Sequence, residues 1–479
     1  MKSRLSFFVP LFFCLLTFFT GCTQIVTSVT PSQTADDSPE LWIVSEKSTS
    51  DGLNFLINDL ITQFQGENPN VTLNLEILPV SEVDRSASLK RIRSAIASGH
   101  GPDVFLLQTS TLIISDAPTG GYSYLQVEPL FADPTIAMNQ GLFFDISKFY
   151  EKDMALQKNA LNSKIMDSGV IGASRYILPL KYDVPVFYVL RDRLSNTNLS
   201  DDFFQKPIDQ LMHYAIDLQD HVLSCGVEYT SLQAFYPLRD PNSNKLLLDA
   251  EILTNYMELF QQIECLVGTE VDHRNSFIIQ YYLLDSTVNC PIRIGYMSEA
   301  LDAIYIAAAQ ESKLDIYPVH SIRNEIVANV KYYGAVGSNS KYAKVAYSFL
   351  SMFLSEYAQW EQYRSNLDSH QSPFLPSRGW PVRSIGSVSP LWNAYRESIC
   401  KNSLIQPDNL HKALLESMNV DDYSLPILLH QIDQVSFGSS HTYAYQKMLY
   451  SLNDYNMGGV ANEVDISGLA LNFLNSWSD

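Results

Sequence analysis

Between Leu41 and Leu107 the apolar residues switch four times between strand-like and helix-like spacing, and this alternation constrains the fold more than anything else in the chain. Leu41-Trp42-Ile43-Val44 is a short apolar run. Leu53, Leu56, Ile57, Leu60, Ile61 and Phe64 then follow at the spacing of one helix face. Ser50 or Asp51 is placed to cap that helix, and Gly66 and Pro69 to end it. Val71, Leu73, Leu75 and Ile77 alternate with polar residues as a strand does. Leu89, Ile92 and Ile96 mark a second helix, broken by Ser98-Gly99-His100-Gly101-Pro102, and Asp103 to Leu107 is a third strand. The order β-α-β-α-β predicts a parallel sheet with right-handed crossovers, hence an α/β fold. Ligands of such sheets lie beyond the carboxyl ends of the strands. Ser45 and Glu46 follow the first strand, and Gln108, Thr109 and Ser110 the third. No glycine-rich loop follows the first strand, which argues against nucleotide binding.

A chain of 479 residues is long enough for two or three domains. Its 32 Lys and Arg stand against 52 Asp and Glu, a formal charge of −20. That balance lacks the basic footprint that nucleic acid requires. It also gives the body no electrostatic hold on an anionic membrane.

The first residues address the chain. Lys2 and Arg4 precede an almost unbroken apolar run from Leu5 to Phe19. The run is short for a hydrocarbon core of ~30 Å and reads as a secretory signal peptide over residues 1–21. Phe19-Thr20-Gly21-Cys22 resembles a bacterial lipobox, which implies cleavage before Cys22 and a diacylglycerol on its sulfur. Paired acyl chains hold a protein on a membrane where one does not. Residues 22–39, rich in Thr, Ser, Pro and Asp, are expected as a tether reaching roughly 20–25 Å. Cys225, Cys265, Cys290 and Cys400 remain. Their spacing suggests no zinc site. Three disulfide pairings are open to them, as are buried free thiols.

Several segments together resemble family 1 extracellular solute-binding proteins of ABC importers. Phe64 to Val71 resembles the family's helix end, and Gly99-His100-Gly101-Pro102-Asp103-Val104 its G-x-x-P-D-V/L turn. Gly141 to Ile146 resembles the segment before the lobe crossing, and Ala173 to Arg191 the crossing strand. Ile292 to Met297, Tyr333 to Lys341 and Leu375-Pro376-Ser377-Arg378 resemble three later family segments. The likeness covers about Leu41 to Val382. It implies a two-lobed periplasmic-binding-protein-like fold (type II) with a hinge and C-terminal helices. The first lobe is expected over 40–183 plus 332–372, and the second over 184–331 plus 373–479. Crossings are expected near Lys181-Tyr182-Asp183 and Lys331-Tyr332.

The resemblance implies a solute-binding protein that closes on a small solute, a carbohydrate or oligosaccharide, and delivers it to ABC permease subunits. The expected protein is a monomer without cofactor or metal, lipid-anchored on the outer face of the bacterial cytoplasmic membrane. Sugar recognition calls for aromatic rings that stack and polar groups that pair with hydroxyls. The expected ligand contacts are Trp42, Ser45, Glu46, Gln108, Thr109, Tyr182, Asp183, Tyr296, Tyr332 and Trp380. One rival reading is a surface lipoprotein that binds a polysaccharide or protein without transport. Another is a lipid-anchored hydrolase, since Ser338-Asn339-Ser340-Lys341 matches S-x-x-K. No K-T-G, G-x-S-x-G or H-E-x-x-H accompanies it, and adjacent aspartates such as Asp201-Asp202 do not straddle a glycosidic bond. The apolar stripe Tyr342, Val345, Ala346, Phe349, Phe353, Tyr357 and Trp360 is expected to be core packing.

Overall fold

The computed structural model describes residues 38–46, 51–109, 112–116, 122–126, 128–191, 201–219, 247–267, 291–297, 314–359, 380–383, 432–437 and 466–475, with positions 194, 199, 223, 224, 227 and 235. Strands β1 (Glu40–Glu46), β2 (Thr72–Leu78) and β3 (Val104–Gln108) form where the sequence places them. They alternate with helices Asp51–Glu67 and Glu82–Ala97. β1 pairs in parallel with both β2 and β3, as the β-α-β-α-β order requires. Leu56, Ile57, Leu60 and Phe64 of the first helix are all buried. Each such side chain contributes about 1.5–3 kcal/mol. Phe64 meets Phe349 edge to face at 5.5 Å. The second helix stops as expected. Gly99 takes a left-handed φ of +78°, which glycine adopts freely, and His100 N donates back to Ala95 O.

A hairpin follows that the periodicity reading did not contain, β4 (Leu112–Asp116) against β5 (Tyr122–Gln126). Short helices Pro134–Asn139, Ser147–Lys152 and Ser163–Asp167 and the small hairpin β6–β7 (Val170–Ile171, Ser174–Arg175) lead to β8 (Ile177–Asp183). β8 passes through Val184 alone into β9 (Pro185–Leu190), so one residue separates two sheets. The second sheet has the order β10-β9-β11, with β10 at Ile292–Tyr296 and β11 at Leu314–Pro318. β12 (Val327–Val336) brings the chain back to the larger sheet, followed by helix Ala343–Ser351, β13 (Trp380–Pro381), β14 (Gln434–Phe437) and helix Ile466–Asn475.

The larger sheet runs β13-β8-β12-β3-β1-β2, and β14 lies beside the first half of β12. Val327–Val330 pair with β14, and Tyr332–Val336 pair with β3. The return to this sheet was expected near Lys331-Tyr332. In the structure β12 is paired in this sheet from Val327 onward, to β14 over Val327–Val330 and to β8 from Asn329. Residues 373–479 were assigned to the second lobe. Of these, β13 and β14 pair into the larger sheet, while helix Ile466–Asn475 packs Ala470 into the core beneath the smaller one.

Two apolar cores result. One joins the larger sheet to its helices. The other joins Phe187, Val189, Ile292 and Ile294 to helices Ile208–Leu218 and Ala250–Val267. β9 serves both by alternation, since Val186, Tyr188 and Leu190 belong to the first core. Among the described residues no helix is long and apolar enough to cross a membrane. Cys22, Cys225, Cys290, Cys400, Ser110, Trp360 and Leu375–Arg378 lie outside the described residues, and Cys265 falls within helix Ala250–Val267.

Candidate functional site

Residues directly opposite across a ladder share a face, as do residues two apart along a strand. Those rules assemble a polar patch on β8, β12, β3 and β14. Asn329 lies between Asp183 and Ser436. Tyr332 lies between Lys181 and Gln108. Lys181 and Asp183 are two apart on β8, so both rows occupy one face. A bulge at Lys331 keeps Asn329 and Tyr332 on the same side. The opposite face carries Tyr182, Ala328 and Val330 into the larger core.

The same face changes character along its length. Leu106, Gly334 and Leu178 form the next row. Helix Ala343–Ser351 sits on it so closely that a Cβ at Gly334 would lie 2.1 Å from Leu350 Cδ1. That helix buries Ala346 and Phe349, as the sequence stripe implied, while Tyr357 is exposed and donates to Asp59. Beyond the helix the face turns polar, at the point where β8 leaves for the second sheet.

Within the patch, Gln108 Nε2 donates to the Tyr332 hydroxyl in a short contact. Thr109 Oγ1 donates to Val330 O at 2.5 Å, and Thr109 N to Lys331 O at 3.0 Å. Asp183 Oδ1 accepts from Val184 N at 3.1 Å, which fixes the carboxylate at the crossing. Asn329 is 1% exposed, and neither its Oδ1 nor its Nδ2 has a hydrogen-bond partner among the described residues. Across the crossing, Lys331 Nζ lies 4.1 Å from the centroid of the Tyr296 ring. Tyr296 O accepts from the Tyr188 hydroxyl at 2.5 Å, and Met297 N donates to Val184 O. The end of β10 is thereby held against the crossing residue.

The ten expected contacts therefore separate. Gln108, Thr109, Asp183, Tyr296 and Tyr332 come together around the crossing. Tyr182 is buried in the core on the other face, and β13 pairs Trp380 beside it in the ladder. Trp42 sits at the opposite end of the sheet region. Its Nε1 donates to Glu76 Oε2 at 3.1 Å and Arg91 stacks 5.3 Å from its ring. Ser45 is fully buried and donates to Glu46 O. Glu46 is clamped by Arg85, whose Nη2 lies 2.9 Å from both carboxylate oxygens. Burial raises the Glu46 carboxyl, and the charge and hydrogen bonds of Arg85 work against it. Burial, then the carboxylates of Glu46 and Asp133, hold the neighbouring Tyr333 phenol protonated. Asn329, Lys331 and Ser436 escaped the sequence reading. The run Val327-Ala328-Asn329-Val330 did carry a signal, a polar residue at one position of an otherwise apolar strand.

Ser340 of the S-x-x-K match donates its Oγ to Asp103 Oδ1 at 2.6 Å. Asp103 Oδ2 also accepts from Trp42 N, so this serine ties the start of the helix to the turn before β3. Chemically, the patch supplies two amides, a carboxylate, an ammonium and a phenol within one buried face. Such a set pairs with hydroxyl groups and suits binding.

No protein-family model matches the chain, and no curated protein sequence matches it. Solved structures do. The galacto-N-biose-/lacto-N-biose I-binding protein of the ABC transporter from Bifidobacterium longum superposes with a TM-score of 0.52 at 12% identity, over 93% of this chain and 98% of that one. The sugar-binding protein MalE of Xanthomonas citri gives 0.52 at 11%, over 91% and 96%. At such identities the likeness is one of fold, and the chain has the α/β fold of the periplasmic solute-binding proteins.

Proposed function

We propose that this chain is the extracytoplasmic solute-binding component of an ABC importer, held to the membrane by a lipid on Cys22, and that it captures a carbohydrate. The observation that carries the reading is the buried polar face at the crossing, where Gln108, Asp183, Asn329 and Tyr332 gather beside the start of the second sheet. A polyhydroxylated solute pairs with amides, carboxylates and phenols, and buried groups left unpaired exclude solutes that lack the hydroxyls. That both structural neighbours are sugar-binding proteins supports the substrate class. Closure of two sheets about Val184 supplies the conformational signal that a permease reads.

Thermal unfolding of the purified protein against mono- and oligosaccharides, amino acids and polyamines tests this. A sugar at a hundred times its Kd stabilises by about 2.7 kcal/mol. Shifts confined to amino acids or polyamines would refute the carbohydrate assignment. Binding of polysaccharide alone, with no shift by any small solute, would favour the non-transport surface lipoprotein. Acyl labelling that persists in Cys22→Ser would remove the proposed anchor.

A further inference from the structure

Asn329 is out of place by the ordinary rules of burial. It stands in the run Val327-Ala328-Asn329-Val330, is 1% exposed, and has hydrogen-bonding groups at both ends of its amide that find no partner among the described residues. A buried unmade hydrogen bond destabilises the fold, and a leucine or valine would fill the same position without that penalty. An orphaned buried polar group in a folded protein calls for a partner or a role, and a bound ligand supplies one. The position also matches. Asn329 lies in one row with Asp183, at the residue before the crossing, and beside the row holding Gln108 and Tyr332.

An amide presents one acceptor and a donor pair side by side. A bound group that satisfies both ends must offer a donor and an acceptor at matching spacing. An anion only accepts, and it would meet the Asp183 carboxylate in the same row. An ammonium only donates. Two adjacent hydroxyls do both, as an amide or a zwitterion would, and the carbohydrate reading above selects the diol. We propose that Asn329 is a solute-binding residue that reads a vicinal diol of the sugar, with Asp183 accepting from the same ring. This deepens the carbohydrate reading and rests on it.

The test joins ligand-free stability to sugar binding. Lactose, lacto-N-biose, mannotriose and maltotriose are offered to the wild type, to Asn329→Leu and to Asn329→Ala, which adds no bulk. The expected result for Asn329→Leu without sugar is a melting temperature ~2–4 °C above wild type, because the unmade hydrogen bonds are gone. Both variants should bind at least tenfold more weakly any sugar that stabilises the wild type. Deoxy analogues lacking one of the two hydroxyls should lose affinity for the wild type and not for Asn329→Ala. Variants that bind the sugar as well as wild type overturn the inference and leave carbohydrate binding intact. A clear fall in the melting temperature of ligand-free Asn329→Ala, with unchanged sugar affinity, assigns the amide to structure and also overturns it. A wild type that none of the four sugars stabilises refutes the occupant assigned here together with the carbohydrate reading.

Discussion

Neutralising Glu46 should destabilise the larger core more than almost any other single-atom change. Glu46 and Arg85 are 0% and 1% exposed at their side chains, and both carboxylate oxygens lie 2.9 Å from Arg85 Nη2. Arg85 also donates from Nε to Glu128 O at 2.6 Å and from Nη1 to Pro79 O at 3.2 Å. Glu46→Gln keeps the shape and one acceptor but strands a buried guanidinium, and breaking a buried pair in this way costs about 3–5 kcal/mol. Arg85→Met strands the carboxylate and also orphans two carbonyls, for a similar or larger loss. The cycle is built from Glu46→Leu, which strands the guanidinium as Glu46→Gln does, from Arg85→Met, and from the two combined, which removes both charges together. What remains is the desolvation of the carbonyls of Glu128 and Pro79, about 1–3 kcal/mol each. The double variant should therefore be no less stable than either single one, with a coupling of roughly 3 kcal/mol or more against additivity. Urea unfolding followed by tryptophan fluorescence measures this, with the slope checked for constancy. Losses that add to within ~0.5 kcal/mol would show that the two residues do not act as a pair, and would refute the reasoning.

Two further expectations follow from single positions. Gly337 N donates to Asp103 O, and a Cβ at Gly337 would lie 2.1 Å from Pro102 O. Gly337→Ala should thus cost about 1–3 kcal/mol in urea unfolding, since backbone on both sides must give, and an unchanged midpoint would contradict the close approach. Asp145 is slightly desolvated, which raises its carboxyl, but hydrogen bonds from Ser147 N at 3.0 Å, Ser147 Oγ and Ser174 Oγ at 2.7 Å outweigh this and lower it. With the folded value depressed, the unfolded chain binds the proton first, so this stabilisation is present above the ordinary aspartate range of ~4 and is lost as pH falls through the folded value. The stability gap between wild type and Asp145→Asn should narrow on going from pH 6 to pH 3, and a gap that is constant with pH would exclude the hydrogen-bonded carboxylate as its source.

Local periodicity carried the sequence reading as far as it can go. Strands β1 and β3 are apolar runs buried on both faces, and β2 and the helices between bury one face, so their local patterns announce them. The β4–β5 hairpin was missed although Gly120-Gly121 between two apolar runs is a turn signal. The candidate site was half legible. Gln108 and Thr109 follow from where a strand ends, while Asp183 and Tyr332 come from the crossings that the family resemblance implies. Glu46 satisfied the same positional rule, yet a fully buried carboxylate requires a counter-charge, and Arg85 supplies it from a helix thirty-nine residues away. Nothing local marks that partnership. Asn329 and Ser436 reach the patch only through pairing register, and β14 joins β12 from far along the chain. Register between distant strands is set by long-range pairing, which hydrophobic spacing within one segment does not encode.

The order of the larger sheet also fixes when it can close. β3 pairs on one side with β1 and on the other with β12, whose paired residues end roughly 220 positions later, ~10–45 s of synthesis at ordinary rates. Until β12 arrives, β3 keeps a bare edge and β8 has no neighbour to bring it into the sheet. An open strand edge can pair with other chains until β12 covers it. Completion of the larger sheet therefore waits on strands drawn from the far half of the chain, and its first hundred residues are only part of it.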